Sequence, residues 1–182
     1  QGVPVVYLVA PQVWAWRKGR IGQIGRTVDK MAVILSFEEE LYRASGVDVS
    51  FVGHPLLDAV KTRYSRDEAL RRFGLKEELR TIALLPGSRP SEVERMLPEM
   101  MKMAAILERR IPSLQFVLPV ADSLRAQTVD DIVRPFGVKI SLVRDDIYDA
   151  VAVSDLAVVT SGTATLETAL LEKPMIIVYK IS

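Results

Sequence analysis

The segment 155–179 constrains the fold most, because a strand, a tight polar turn, a helix and a second strand follow one another within it. Its first residues, Asp155-Leu-Ala-Val-Val, form a short apolar run rich in β-branched side chains, which is typical of a buried parallel strand. Ser161 and Gly162 interrupt this run, and helical periodicity follows until Pro174. Met175-Ile-Ile-Val-Tyr then predicts another buried strand. Such a unit belongs in an open, parallel α/β sheet.

The turn in this segment is a candidate ligand site. In an open parallel sheet, ligands bind beyond the carboxyl ends of the strands. We expect Ser161 and Thr163 to cap the helix. The free backbone N–H groups of the helix would face the ligand crevice, an arrangement that suits a phosphate. Glu167 lies one helical turn after Thr163, so its carboxylate could accept hydrogen bonds from a ribose. The alternative is a capped core helix with a solvated glutamate. The apolar face of the helix is predicted to consist of Ala164, Leu166, Ala169 and Leu170.

A second loop of this kind, Pro86-Gly-Ser-Arg-Pro-Ser-Glu, also follows a strand and opens a helix. Gly87 lets the backbone approach a ligand closely, Ser88 adds a small donor, and Arg89 offers a planar fork that suits phosphate oxygens. A surface loop with a solvated arginine is the alternative. Two phosphate-compatible loops in one sheet favour a diphosphate ligand, although neither is a Walker loop or a Gly-x-Gly-x-x-Gly turn.

The rest of the chain continues the strand–helix alternation, which predicts parallel pairing with helices on both faces of the sheet. Gly53-His-Pro punctuates the pattern, so we predict one domain at residues 1–53 and a second at residues 54–182. The remaining strands are predicted at residues 3–9, 30–35, 47–52, 81–85, 115–119 and 139–143. The remaining helices are predicted at residues 20–28, 37–44, 56–61, 67–73, 92–110, 123–136 and 147–153.

Several local features of these helices can be predicted. Ser91 and Glu94 have the spacing of a capping box for the helix at 92–110, and Pro98 predicts a kink or a restart within it. Asp145 and Asp146 are expected to cap the helix that follows them, and His54 to cap a turn or pack at the domain junction. Four methionines are expected to fill gaps in the core: Met96, Met100, Met101 and Met103.

Composition excludes several classes of function. A net charge of +1 gives no electrostatic case for nucleic acid. The absence of cysteine removes thiolate metal sites and disulfides, and a single histidine cannot support a His-rich metal site, so we expect no metal. No apolar run is long enough to span a bilayer. The chain starts at Gln1 and ends at Ser182 next to predicted strands, so we expect a piece of a longer polypeptide.

Four motifs together resemble the lipid-A-disaccharide synthase family, glycosyltransferase family 19, of the two-domain GT-B type. Their order and spacing match over essentially the whole chain. The Trp-Ala-Trp segment best distinguishes this family from the other GT-B glycosyltransferases. The motifs are Pro11-Gln-Val-Trp-Ala-Trp-Arg, Phe51-Val-Gly-His-Pro-Leu-Leu-Asp, Leu85-Pro-Gly-Ser-Arg-x-Ser-Glu-Val and Ser161-Gly-Thr-Ala-Thr-Leu-Glu.

The resemblance implies a Rossmann-like GT-B fold, here the C-terminal UDP-sugar-binding half with a remnant of the acceptor-side N-terminal half. Family members transfer 2,3-diacylglucosamine from UDP to 2,3-diacylglucosamine 1-phosphate by metal-independent inversion, without a cofactor. Arg89 would be catalytic, and Gln12, Trp14 and Arg17 would lie near the cleft on the acceptor side; the two tryptophans could equally pack in a core. The residues implied to bind UDP-sugar are Gly87, Ser88, Arg89, Ser161, Gly162, Thr163 and Glu167.

The resemblance also implies where the protein acts and what is missing. It places the enzyme in the cytoplasm on the inner surface of a Gram-negative-type cytoplasmic membrane, as a possible homodimer when full-length. We expect the general base and the acceptor site to lie outside this chain, which alone would be inactive. The alternatives are another UDP-sugar enzyme, such as a 2-epimerase or a peptidoglycan glycosyltransferase, and a non-catalytic nucleotide-binding or membrane-interface module. In the latter, aromatic and basic side chains would lie at lipid headgroups, namely Trp14, Trp16, Arg17, Lys18 and Arg20.

Overall fold

The computed structural model describes residues 2–180, without the side chain of Lys18. The chain divides into two compact units between Ala59 and Val60. This division lies after the short helix Leu56–Ala59, whereas the sequence analysis placed it near Gly53.

The first unit contains a three-stranded parallel sheet in the order β1-β2-β3. Its core is formed by buried side chains of β2, α3 and β3, among them Met31, Val33, Tyr42 and Val49. The strands are shorter than predicted, since pairing covers three or four residues of each. The elements are β1 (Val6–Leu8), α1 (Val13–Trp16), a 3₁₀ turn (Lys18–Arg20), α2 (Ile21–Gly25), β2 (Lys30–Val33), α3 (Ser36–Arg43), β3 (Val49–Phe51) and α4 (Leu56–Ala59).

The turn before α4 is stabilised by His54. Its Nδ1 accepts a hydrogen bond from the Leu56 N–H at 3.2 Å, and its carbonyl accepts one from the Leu57 N–H. The prediction that His54 caps a turn is therefore confirmed.

The second unit contains a five-stranded parallel sheet in the order β6-β5-β4-β7-β8. The parallel pairing and the strand–helix alternation predicted from the sequence are both confirmed. The elements are α5 (Arg66–Arg72), β4 (Arg80–Leu85), α6 (Pro90–Arg110), β5 (Leu114–Pro119), α7 (Ala126–Val133), a 3₁₀ turn (Arg134–Phe136), β6 (Ile140–Val143), α8 (Ile147–Ala152), β7 (Leu156–Thr160), α9 (Thr163–Leu170) and β8 (Met175–Val178).

Strand β4 shows why helices cover both faces of this sheet. Ile82 and Leu84 belong to the core cluster that contains the buried side chains of α6 and α7. Ala83 and Leu85 point the other way, into the cluster that contains those of α5 and α8. Successive side chains of a strand alternate between faces, so an uninterrupted apolar strand needs a helical layer on each side.

Helix α6 differs from the prediction at its start and in its middle. It begins at Pro90, with Arg89 at the N-cap position and no side-chain cap, so the predicted Ser91–Glu94 capping box is wrong. Proline suits the first helical position because its missing N–H would have no intrahelical partner there. The helix runs unbroken through Pro98, so the predicted restart is also wrong. The buried Leu97 and Met101 hold this part of the helix against the sheet.

The methionines of α6 pack as predicted. Met96, Met100 and Met101 are buried in the core cluster of this face, and the half-buried Met103 packs against it. A capping box does occur in this unit, but at α5, where Ser65 and Glu68 bond each other reciprocally. The sequence analysis missed it.

The predicted apolar face of α9 is wrong for three of its four residues, since only Ala164 packs against the core. Leu166 and Leu170 are exposed, as is Ala169, whereas Thr168 is fully buried. Thr168 can be buried because its hydroxyl donates to the Ala164 carbonyl at 2.7 Å, so no polar atom is left without a partner. The helix therefore lies rotated relative to the expected orientation.

Candidate functional site

The site lies where the strand order of the second sheet reverses. From β4 the chain runs through α6 to β5 on one side, while β7 pairs with β4 on the other side. Leu85 at the end of β4 is in register with Val159 near the end of β7. The loops after these two strands are therefore neighbours at the carboxyl edge. Such a switch point is where open α/β sheets bind ligands.

A cavity of about 670 Å³ opens between these loops. Its volume is within the range of small-molecule sites, roughly 300–1,000 Å³. The cavity brings together all seven residues that the sequence analysis assigned to UDP-sugar, since its lining includes Gly87, Ser88, Arg89, Ser161, Gly162, Thr163 and Glu167.

The loop after β4 is shaped by Gly87 and Glu92. Gly87 has a φ of +113°, a backbone conformation that residues with a side chain rarely adopt. A Cβ there would lie 2.6 Å from Glu92 Oε2. Only glycine therefore fits under the Glu92 carboxylate. Glu92 Oε1 also accepts a hydrogen bond from Arg89 Nη1 at 2.9 Å. The Ser88 carbonyl accepts one from Ser123 Oγ at 2.7 Å, which connects this loop to the one after β5.

Arg89 itself is free to reorient. Its side chain is 79% exposed, and an exposed ion pair such as the one with Glu92 contributes roughly 0–1 kcal/mol. An incoming anion can therefore compete for the guanidinium at little cost. Glu92 was missed by the sequence analysis because we treated it only as the first residue of the helix.

The loop after β7 presents an uncapped helix N-terminus. Gly162 occupies the N-cap position of α9, and no side chain caps the helix, so the predicted capping by Ser161 and Thr163 is wrong. Ser161 bonds through its N–H to the Val178 carbonyl at 3.0 Å instead. The first N–H groups of a helix have no intrahelical partners, and the helix dipole adds partial positive charge there. Because Gly162 and Thr163 line the cavity, the free backbone N–H groups at the start of α9 are available there as anion donors.

Glu167 is held by a residue that the sequence analysis missed. Tyr148 on α8 also lines the cavity, and its hydroxyl donates to Glu167 Oε1 at 3.1 Å. Burial, together with the negative charge of Glu167, raises the pKa of Tyr148. The phenol therefore stays protonated at neutral pH and keeps its donor. The position of Tyr148 in the first turn of a helix that follows a strand was the available signal.

The rim of the cavity carries further charges. Arg63, Arg144, Asp122 and Asp145 contribute to its lining. With Arg89, Glu92 and Glu167 included, the lining carries three guanidinium groups and four carboxylates. The cavity therefore has no excess of positive charge that would attract anions in general.

Asp146 anchors one side of this rim. It occupies the N-cap position of α8, as predicted, but its carboxylate makes no capping hydrogen bond. Its buried carboxylate instead pairs with Arg63 at 3.2 Å and with Arg72 at 2.7 Å. Asp149 holds the same segment in place by accepting hydrogen bonds from the backbone N–H groups of Arg63 and Tyr64. A buried carboxylate needs such cationic partners, which the sequence pattern alone did not show.

Thr160, the last residue of β7, also lines the cavity. It is 4% exposed, and its hydroxyl has no hydrogen-bond partner among residues 2–180. Buried polar atoms of this kind are uncommon in native structures.

Three predicted site residues belong to the first unit. Trp14 is half-buried against its core, with its ring edge-on to Phe37 at 5.0 Å and its Nε1 donating to the buried Glu38 at 3.0 Å. The core-packing interpretation of the two tryptophans is therefore confirmed for Trp14 and wrong for Trp16, which is exposed. Gln12 and Arg17 flank α1 and are exposed. No group of three or more acidic or histidine side chains within residues 2–180 is arranged to hold a metal ion.

The fold is of the GT-B type, an architecture that this chain shares with solved glycosyltransferases and UDP-GlcNAc 2-epimerases. UDP-GlcNAc 2-epimerase from Neisseria meningitidis, solved with UDP-GlcNAc bound, matches with a TM-score of 0.65 over 97% of this chain and 53% of its own chain. The two sequences are 13% identical, so this likeness concerns the fold alone.

Sequence comparison then gives the family. The family model for Lipid-A-disaccharide synthetase matches residues 1–182. Lipid-A-disaccharide synthase of Syntrophus aciditrophicus (strain SB) is 59% identical over 184 residues, which are 100% of this chain and 48% of the relative. That of Geobacter sulfurreducens is 46% identical over 181 residues, 100% of this chain and 47% of the relative. The chain belongs to the lipid-A-disaccharide synthetase family, and it spans about half the length of the curated relatives it matches.

Gly87→Ala is expected to lower the free energy of unfolding by about 1–3 kcal/mol, because the residue would be strained at positive φ and its Cβ would clash with Glu92. Urea denaturation measures this change. Gly22→Ala is the matched control, since a Cβ there meets nothing within 4 Å and φ is not in the left-handed region. An equal loss in both variants would contradict the explanation.

Proposed function

We propose that this chain supplies the UDP-sugar-binding half of a lipid-A-disaccharide synthase. Such an enzyme would transfer 2,3-diacylglucosamine from its UDP donor to 2,3-diacylglucosamine 1-phosphate and release UDP. Family membership supports the proposal, but the observation that carries it is the cavity at the switch point. There an exposed arginine and an uncapped helix N-terminus lie on adjacent loops.

The donor would bind across these two loops. Arg89 would leave Glu92 and take oxygens of the diphosphate with its planar fork, while the N–H groups at the start of α9 bind others. Glu167, one helical turn further on, would accept hydrogen bonds from the ribose hydroxyls. The four carboxylates of the cavity would repel phosphate from the rest of its lining. This repulsion would orient the nucleotide.

In the reaction, the acceptor's primary hydroxyl oxygen would form a bond to the anomeric carbon as the bond from that carbon to the phosphate oxygen breaks. The electron pair leaves with UDP, a carboxylate takes the hydroxyl proton, and the configuration inverts. Arg89 and the α9 N-terminus would stabilise the charge that develops on the departing phosphate. The proton acceptor and the acceptor site would belong to the part of the family's length that this chain does not span.

Arg89→Ala in the full-length enzyme is expected to reduce kcat/KM for the UDP-sugar donor at least tenfold, which corresponds to about 1.4 kcal/mol. A coupled assay of UDP release measures this. Arg109→Ala removes an exposed arginine at the far end of α6 and is the control. Unchanged turnover in Arg89→Ala would remove Arg89 from the site.

The same full-length enzyme would distinguish this function from a 2-epimerase or a peptidoglycan glycosyltransferase. Acylated and non-acylated UDP-glucosamine derivatives are compared as donors. Transfer only from the acylated donor supports the synthase, and turnover of the non-acylated donor supports one of the alternatives.

The first unit has a surface that suits the cytoplasmic face of the inner membrane. Trp16 is 83% exposed, and Arg17 and Arg20 beside it are exposed as well. Aromatic and basic side chains together favour the headgroup layer of anionic membranes. None of the helices within residues 2–180 is long and apolar enough to cross a bilayer. We therefore propose peripheral association of the enzyme, with its lipid substrates drawn from that surface.

Trp16→Ala and Arg17→Ala are each expected to lower binding to phosphatidylglycerol vesicles about fivefold, since a basic residue near such a surface contributes about 1 kcal/mol. Vesicle co-sedimentation at low and high salt measures the effect. Leu57→Ala, which removes an exposed apolar side chain from α4, is the control. Binding that is the same for all three variants would contradict membrane association through α1.

A further inference from the structure

We propose that Tyr148 is a positioning residue that fixes the Glu167 carboxylate for the ribose, and so sets the preference of the site for a ribonucleotide. This inference rests on the function proposed above. Tyr148 lies on α8 and Glu167 on α9, both line the cavity, and the phenol hydroxyl donates to Oε1 at 3.1 Å. The contact therefore connects two helices at the cavity wall.

Within the described part of the chain, the Glu167 carboxylate has no cationic partner. Among residues 2–180, no lysine, arginine or histidine nitrogen lies within 4.0 Å of Glu167, and its carboxylate accepts only the hydrogen bond from Tyr148. Glu92 differs in this respect, since Arg89 pairs with it. A carboxylate that has no cationic partner and most of its lone pairs free is suited to neutral hydroxyl donors and repels phosphate.

Tyr148 reduces the freedom of this acceptor. A glutamate side chain loses up to about 2 kcal/mol of rotamer entropy when it is fixed, whereas an aromatic ring in a helix has few rotamers. By holding Oε1, the phenol leaves Oε2 and the second lone pair of Oε1 for a ligand. Part of the entropy that the Glu167 side chain would lose on binding is therefore already lost before the nucleotide binds.

The position on α9 separates two kinds of recognition. Thr163 begins the helix with donors for an anion, and Glu167 follows four residues later, about 6 Å along the axis. Donors at one end and a fixed acceptor at the other match a phosphate that is attached to a sugar with vicinal hydroxyls. A phosphate without such a sugar would gain nothing from Tyr148.

The test measures dissociation constants of the full-length protein for UDP and for 2′,3′-dideoxy-UDP by calorimetry. Wild-type protein is expected to bind UDP about tenfold more tightly than the dideoxy compound. Tyr148→Phe should weaken UDP binding about fivefold and change binding of the dideoxy compound less than twofold. In a Glu167→Gln background, Tyr148→Phe should have no further effect on the ratio of the two constants. Tyr64→Phe, whose ring packs under Arg72, is the control and should leave the ratio unchanged.

The outcomes separate the inference from the proposed function. If wild-type protein binds UDP no better than UMP, the proposed function fails. If wild-type protein prefers UDP over the dideoxy compound but Tyr148→Phe weakens both ligands equally, Tyr148 is only a structural contact and the inference is overturned. If wild-type protein binds both diphosphates equally, Glu167 does not hold the ribose and the inference is overturned while diphosphate binding stands.

Discussion

The parallel pairing of β4 with β7 is the constraint on which the site depends. Both strands are buried on both faces, and their register brings Leu85 and Val159 side by side. The chain must then leave the sheet through two adjacent loops. Neither loop alone would specify a ligand. Together they place a flexible guanidinium and a helix N-terminus around one cavity.

The proposed anion recognition in this cavity would come from the placement of donors rather than from an excess of positive charge. The arginines of the rim have acidic partners in two cases: Arg89 pairs with Glu92, and Arg63 pairs with the buried Asp146. The free N–H groups at the start of α9 are donors without a net charge, and no side chain has to be ordered for them to bind a ligand. Selectivity would arise because acidic side chains exclude phosphate from all but one part of the cavity.

The sequence predicted the parts of the structure that follow from local periodicity. Apolar runs and turn residues gave the strand–helix order, and Gly87 and Gly162 marked the two loops that meet at the cavity. Helix caps were predicted less well. Ser91 and Thr163 have the right chemistry, but the N-cap of α6 is Arg89, two positions before Ser91, and the N-cap of α9 is Gly162, one position before Thr163.

The contacts that the sequence did not reveal join residues far apart in the chain. Tyr148 contacts Glu167 across two helices, and Asp146 pairs with arginines more than seventy positions earlier. No spacing rule identifies such partners. The prediction of the apolar face of α9 failed for a related reason, because burial of Thr168 depends on a hydrogen bond within the folded helix.

The most direct test of this account is a titration of isotope-labelled protein with UDP, UMP and ADP, followed through backbone amide resonances. If two adjacent loops hold a uridine diphosphate, UDP should bind at least tenfold more tightly than UMP and more tightly than ADP. The largest shifts should then occur at Gly87, Ser88, Gly162 and Thr163. Equal affinity for UDP and UMP, or shifts that leave the amides of these two loops unchanged, would contradict it.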